Sequence, residues 1–436
     1  MIQSNKSHIR WYVAAMMWAA IAINYIDRTV LSAAAPKIQA EFGLSPMQMG
    51  VVLSAFFWSY ALLQLPAGYL ADRFGQKKTL GLAVLWWSLA TAVTGIATGF
   101  KSVVGLRLAL GIGEAAAYPS NAGIAAKWFP RSERATVAGI FDSGSKFGGA
   151  IALPMIVWLM SLYGWKHTFA IVGGLGVVWA LVWWRMFRET PAQHPGVNPA
   201  ELAHIHDGLV QRSADTSMPM KWYELFKHRN IWAMCIGFFM INYNSYFFIT
   251  WLPTYLVKER HMGLLEMGFM ASLPLTISMV VEVLAGWLSD KVYKSGKLSL
   301  TAIRKTFLVV GLVMASSIGF AAFAESPMMA VVLLCIAKSG TTVAASQVWA
   351  LPGDVAPRNM TSMVAGVQNS ISNLGGVIGP IVTGAIVGAT GSFVYALVFS
   401  AALIVVAILN YLFLLGKVER IEAPEAEQAA ALAMAK

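Results

Sequence analysis

Eight ionisable side chains sit inside long apolar runs of a 436-residue chain in which only 12% of residues are charged: Asp27, Arg28, Arg107, Glu114, Asp142, Lys146, Glu282 and Lys338. A charge at the centre of a bilayer costs about 2.5–3.5 kcal/mol on insertion scales, so such a group faces a cavity or a partner. Asp27 and Arg28 are neighbours on the first apolar run. Arg107 and Glu114 lie seven residues apart on the fourth, nearly two whole helical turns, and so share a face. Two cations and two carboxylates meeting in one cavity make an anion site with a switch. Each carboxylate neutralises an arginine while the site is empty. An incoming anion competes for that arginine, and protonation of the carboxylate releases it. Arginine suits the role because its planar fork grips a carboxylate at two points. The competing reading is a static ion-pair network that fixes helix packing. Buried pairs are poor stabilisers beside an apolar alternative, which favours the chemical reading.

The other four charges are more ambiguous. Asp142 precedes Lys146 by four residues, a standard helical pair, so Lys146 is either neutralised by Asp142 or binds a second anionic group. Glu282 and Lys338, on later spans, are expected to pair with each other, since a lone charge in lipid is costly; the alternative is that they shape the pathway. No enzyme constellation accompanies them. A Walker loop is absent from the sequence, and the scattered polar residues give no nucleophile with its base. Seven histidines form no ligand-spaced cluster, and Cys235 and Cys335 lie in apolar runs as small packing residues. The expectation is no enzyme, no cofactor and no metal.

The elements that position these groups follow from hydropathy. The chain is 57% hydrophobic, and runs near the length of a spanning helix occupy about 11–33, 48–68, 79–98, 101–122, 137–158, 166–187, 230–253, 268–288, 303–323, 328–350, 363–387 and 392–414. The first run is too long for a cleavable signal peptide and has no small-residue cleavage site. The net charge of +11 does not cluster on a solvated face as in a nucleic-acid binder. Lys and Arg instead crowd alternate connections: Arg73, Lys77 and Lys78; Lys127, Arg131 and Arg134; Arg185 to Arg229; Lys291 to Lys305. Both termini fall on that side, which the positive-inside rule makes cytoplasmic. The predicted fold is an all-α membrane protein of twelve transmembrane helices in two pseudo-symmetric six-helix bundles. Residues 1–187 and 230–416 form the bundles, 188–229 a central cytoplasmic loop, and 417–436 a cytoplasmic tail.

Each half repeats a Gly-Asp-basic motif after its second span, "GYLADRFGQKK" at 68–78 and "GWLSDKVYKSGK" at 286–297. Such a duplication points to binding at the midplane between halves. Gly68 permits close helix approach, and Asp72 can face a helix N-terminus or a neighbouring arginine. Gly68, Asp72, Arg73 and Asp290 are therefore candidate gate residues; the plainer alternative is anchoring of the loop at the headgroups. "GVQNSISNLGGVIGP" at 366–380 puts small residues and a proline in the eleventh span, fit for close packing and a bend.

The first of these motifs resembles the signature of the major facilitator superfamily, and "NYIDR" (24–28), "GIGEAAAYP" (111–119) and "WFPRSERA" (128–135) resemble its anion:cation symporter branch, which includes galactonate, glucarate and hexuronate permeases. The resemblance covers nearly the whole chain. It implies proton-coupled uptake of a small organic anion, a sugar acid or a mono- or dicarboxylate, by alternating access in a bacterial inner membrane. An exchanger or exporter of the same fold is the alternative. It further implies that Asp27 and Glu114 carry protons, that Arg28 and Arg107 clamp the carboxylate, and that Tyr25, Tyr60 and Asn373 contact substrate. Partners would be the anion, protons and lipid, with the chain a monomer and no nucleic acid bound. Two departures stand out. Ser145, followed by Lys146, occupies the place of a substrate-contacting glutamine, and Ala350 that of a serine. Losing both hydroxyl-binding groups leads to the expectation of a compact, less hydroxylated or doubly charged acid.

Overall fold

The computed structural model describes residues 7–206, 221–357 and 359–421, and among these every regular element is a helix. In chain order they are α1 (Ile9–Phe42), α2 (Pro46–Phe74), α3 (Gln76–Thr94), α4 (Phe100–Glu114), α5 (Ala117–Trp128), α6 (Arg134–Met186), α7 (Pro199–His206), α8 (Arg229–Thr250), α9 (Leu252–Lys258), α10 (Leu264–Lys294), α11 (Leu300–Ala315), α12 (Ser317–Ala321), α13 (Pro327–Val355), α14 (Thr361–Thr390) and α15 (Val394–Leu409). Short 3-10 turns punctuate the connections and a π-helical turn, Asn410–Leu414, extends α15. The expected tail beyond 421 and residues 207–220 of the central loop lie outside the described residues.

Local chemistry sets the boundaries. Ser299 and Ser326 accept a hydrogen bond from the third amide of α11 and α13, and Pro327 opens α13 where its missing N–H costs nothing. Gly391 ends α14 with φ 72°, a left-handed conformation that suits glycine. α6 runs for 53 residues but breaks at Gly164, where φ is 74° and ψ 168°. Its two arms run back to the same end of the bundle: Trp183 on the second arm donates to the Lys77 carbonyl at 2.9 Å, while Arg134 at the start of the first donates to the Ala126 carbonyl at 3.1 Å. These arms correspond to the fifth and sixth expected runs.

Among the described residues eight stretches are long and apolar enough to cross a membrane by length and composition: Ile9–Ala35, Val51–Phe74, Pro154–Met186, Glu266–Lys294, Leu300–Ala321, Pro327–Val355, Thr361–Thr390 and Val394–Leu414. α4 falls outside that set; it carries Arg107 and Glu114 and is broken from α5 at residues 115–116. Large side chains such as Leu62, Ile96, Phe320 and Phe413 stand on the outer surface of the bundle, as a lipid-facing wall requires.

The two halves meet through α2 against α14 and through the first arm of α6 against α10. α7, from the central segment, clamps the start of α1. Glu201 accepts from the Ile9 and Arg10 amides, each at 3.2 Å, and pairs with the Arg10 guanidinium at 3.0 Å. Arg10 also pairs with Glu133 at 2.8 Å. Burial alone would raise the Glu133 carboxyl, but Arg10 and His204 beside it hold it below the usual carboxylate range.

Candidate functional site

A cavity of about 670 Å³ lies between the halves, lined by residues of α1, α2, α4, α5 and α6 on one side and α8, α10, α13 and α14 on the other. Tyr25, Arg28, Tyr60, Arg107, Lys146 and Asn373, six of the residues singled out from sequence, all line it.

The Arg28 side chain is boxed by aromatic rings, its guanidinium carbon 4.8 Å from the Tyr25 ring centre, 4.7 Å from Phe56 and 4.4 Å from Tyr60. Its Nε donates to Glu114 Oε2 at 2.6 Å. A cation held against ring faces keeps part of its stabilisation when its ion-pair partner changes. Arg107 shares the Phe56 ring at 5.1 Å. Among the described residues no carboxylate lies within 4.0 Å of the Arg107 guanidinium, although the residue is 5% exposed. Glu114 stands behind Arg28, off the cavity wall. Asp27 is likewise off the wall, with neither carboxyl oxygen hydrogen-bonded. Thr91 and the Trp87 indole are its neighbouring donors, and neither reaches hydrogen-bond geometry with it.

On the same wall, from α6, Lys146 reaches two carboxylates, Asp142 at 2.6 Å and Glu282 of the other half at 2.8 Å. The expected Glu282–Lys338 pair is therefore corrected. Glu282 is taken by Lys146, and Lys338 lies 5.5 Å from the Phe248 ring centre, without an ion pair among the described residues. Pairing across helices depends on their relative rotation, which spacing within one helix does not encode. Asn373 donates to the Asn369 carbonyl at 2.8 Å, one turn back. Ser145 lines the cavity but spends its hydroxyl on the Asp142 carbonyl, whereas Ala350 is absent from the wall and its neighbour Trp349 is on it. Sequence reading missed Phe56 and Tyr118. The Tyr118 hydroxyl donates to Asp142 at 2.8 Å and its ring stacks 4.5 Å from Trp349, joining the halves. Its signal was present four residues after Glu114, on the same side of the chain.

At the end of the cavity where α1 begins and the described chain stops at Ile421, two carboxylates close the halves together. Asp72 accepts from the Ser362 and Met363 amides at 3.2 and 2.8 Å; Asp290 accepts from the Ala135 and Thr136 amides at 3.3 and 2.6 Å. In both cases these are the second and third amides of a helix in the opposite half, α14 and α6, which have no partner within their own helix. Of the two openings left by the sequence, a helix start or a neighbouring arginine, Asp72 takes the helix start. Gly68 and Gly286, each four residues before its aspartate, let the helices touch: a Cβ on Gly68 would meet the Ser362 carbonyl, and one on Gly286 the Ala135 carbonyl. Arg134 and Arg304 converge on Asp354 at 2.9 and 3.1 Å. Arg73 takes no part in this contact. It is exposed and bonds the Tyr69 hydroxyl of its own helix at 2.8 Å, because one residue along a helix turns a side chain about 100° away from Asp72.

This geometry carries a prediction. Gly286→Val obstructs closure of this end against backbone that cannot yield, so uptake falls at least about tenfold while the protein still reaches the membrane. Radiolabelled uptake with surface quantification of the variant checks it; wild-type rates would show that the close approach is dispensable.

The family model for the Major Facilitator Superfamily matches residues 17–380. Among known relatives, the probable galactarate/D-glucarate transporter GudP of Bacillus subtilis is 37% identical over 438 residues, with 97% of this chain and 95% of that protein covered. The D-galactonate transporter of Escherichia coli is 35% identical over 420 residues, with 94% and 97% covered. Among solved structures, the proton:xylose symporter XylE bound to 6-bromo-6-deoxy-D-glucose superposes with a TM-score of 0.70 at 14% identity, covering 94% of this chain and 96% of that one, a likeness of fold alone. With its matched signature, its helical architecture and full-length relatives that are transporters, not enzymes, this chain belongs to the major facilitator superfamily of membrane transporters.

Proposed function

We propose that the chain is a proton-coupled symporter that imports a small organic anion across the bacterial inner membrane. It works as a monomer in lipid, crossing the membrane twelve times with both termini in the cytoplasm. The spans beyond the eight apolar stretches are α3, the α4–α5 rod, the first arm of α6 and the α8–α9 rod. The halves are 1–187 and 230–416, joined by the cytoplasmic loop 188–229 and followed by a tail, 417–436. The end closed by Asp72 and Asp290 is the cytoplasmic one, since the basic connections gather there.

The observation that carries the reading is a cavity-facing arginine, Arg107, with no carboxylate partner among the described residues, beside a second arginine whose partner is a buried glutamate. A substrate carboxylate docks on Arg107. Protonation of Glu114 frees Arg28 to join it, and Asp27 takes a further proton, since a carboxyl buried without a hydrogen bond is costly as an anion. Tyr25, Tyr60, Lys146 and Asn373 complete the substrate contacts. Gly68, Asp72 and Asp290 form the inner gate; Arg73, though exposed, is free to reach lipid phosphate there. Relatives named for galactarate, D-glucarate and D-galactonate make sugar acids the first class to test. Asn242, Asn369 and Asn373 on the wall offer amides to hydroxyls, which offsets the losses at Ser145 and Ala350.

Purified protein in proteoliposomes tests this. With the interior alkaline and no internal substrate, D-galactonate or galactarate accumulates, and an entrapped pH dye reports proton entry with it. Uptake only into vesicles preloaded with anion would make the protein an exchanger instead.

A further inference from the structure

We propose that Lys338 is a second anchor for the substrate, and that the preferred substrate is therefore a dianion with one carboxylate for each half of the bundle. The inference rests on the anion-symport reading above and adds the charge of the substrate and the residue that reads it.

Lys338 sits on α13, is 5% exposed, and lines the same cavity as Arg107 from the opposite half. Its charged neighbours are Asp142, Lys146 and Glu282. Lys146 already holds both of those carboxylates at ion-pair distance, and no carboxylate among the described residues lies within 4.0 Å of Lys338. The cavity thus has one unpaired cation on each wall. An ammonium held out of water without a partner is costly, and an anion entering the cavity recovers that cost.

The charge balance of the whole site points the same way. Its cations are Arg28, Arg107, Lys146 and Lys338, and its carboxyls are Asp27, Glu114, Asp142 and Glu282, so the two sets are equal in number. Each proton taken by Asp27 or Glu114 leaves one positive charge uncompensated. When both are protonated the excess is two, the charge of a dicarboxylate. A monoanion leaves half of that excess buried and unmatched. A dianion spanning Arg107 and Lys338 also ties the two halves together, which favours closure over it.

Galactarate and D-galactonate share a six-carbon hydroxylated skeleton and differ at one end, carboxylate against hydroxymethyl. In proteoliposomes the wild type is expected to prefer galactarate in kcat/KM by about tenfold or more, the size of one charge-assisted hydrogen bond. Lys338→Gln should bring that ratio to near one, and Lys338→Arg should keep most of it. A buried lysine variant can fail to reach the membrane, so the wild type is also tested against the monomethyl ester of galactarate, which should compete about tenfold more weakly than the diacid. Equal handling of galactarate and D-galactonate by the wild type overturns the inference, as does an unchanged ratio in Lys338→Gln or equal potency of the ester. Failure to accumulate either acid would instead remove the symport reading on which it rests.

Discussion

Arg107→Ala is expected to abolish uptake, with kcat/KM lowered about 100-fold or more, the loss appropriate to a desolvated charge pair. Among the described residues Arg107 makes no ion pair, so its removal leaves no carboxylate without a bonded partner. Its removal relieves a buried cation and should leave thermal stability unchanged or slightly raised, while taking away the group that meets the substrate first. That combination separates binding from packing. Arg107→Lys should recover little activity, because an ammonium cannot grip a carboxylate at two points as a guanidinium does. Initial uptake rates and melting temperature in detergent, measured together, check both halves. A variant that transports normally would remove Arg107 from the site; one that unfolds would make it structural.

The second large effect concerns coupling. Glu114→Gln keeps the size of the side chain but fixes it in a neutral form, as though permanently protonated. Arg28 remains boxed by Tyr25, Phe56 and Tyr60, so the anion site survives. The expected result is an uncoupled carrier. Accumulation driven by a pH gradient, about tenfold per pH unit for each coupled proton, collapses to equilibration, while exchange of labelled for unlabelled substrate across the membrane persists. Exchange demands binding and alternating access but no net proton movement. A Glu114→Gln protein that still concentrates substrate against a gradient would exclude Glu114 from the proton path.

Much of this architecture was legible because bilayer crossing imposes a coarse rule. The alternation of apolar runs with basic connections marked the helices, including the two arms of α6 that turn at Gly164. Of the charges too deep for lipid, Arg28, Arg107, Asp142, Lys146 and Lys338 line the cavity, whereas Asp27, Glu114 and Glu282 stand off its wall, a depth that seven-residue spacing along α4 does not encode. What spacing could not reveal was partnership between helices. Glu282 belongs to Lys146 rather than to Lys338, and Glu114 to Arg28 rather than to its own-helix neighbour Arg107, because rotation and depth of one helix against another are set by packing. Arg73 misled for a related reason: a motif keeps neighbours in sequence together, while the helix turns them apart. Arg134 and Arg304 stand out in the sequence only as basic residues of the connections, and Asp354 not at all, because charges at span ends are common and the burial of these three is visible only where the halves meet.

The inner closure has a consequence for how the molecule tolerates change. Its two latches catch on main-chain amides at the second and third positions of α14 and α6, with the Thr136 hydroxyl adding a further bond to Asp290 at 2.8 Å. A sequence that keeps those helices beginning where they do preserves the amide catch, so residues 135 and 363 can change more readily than the aspartates and glycines facing them, or than Thr136 and Ser362, whose hydroxyls bond Asp290 and Gln76. Being duplicated, the fastening also has a spare: loss of one aspartate's bonds leaves a door that still shuts, only less firmly, whereas bulk at a facing glycine props it open.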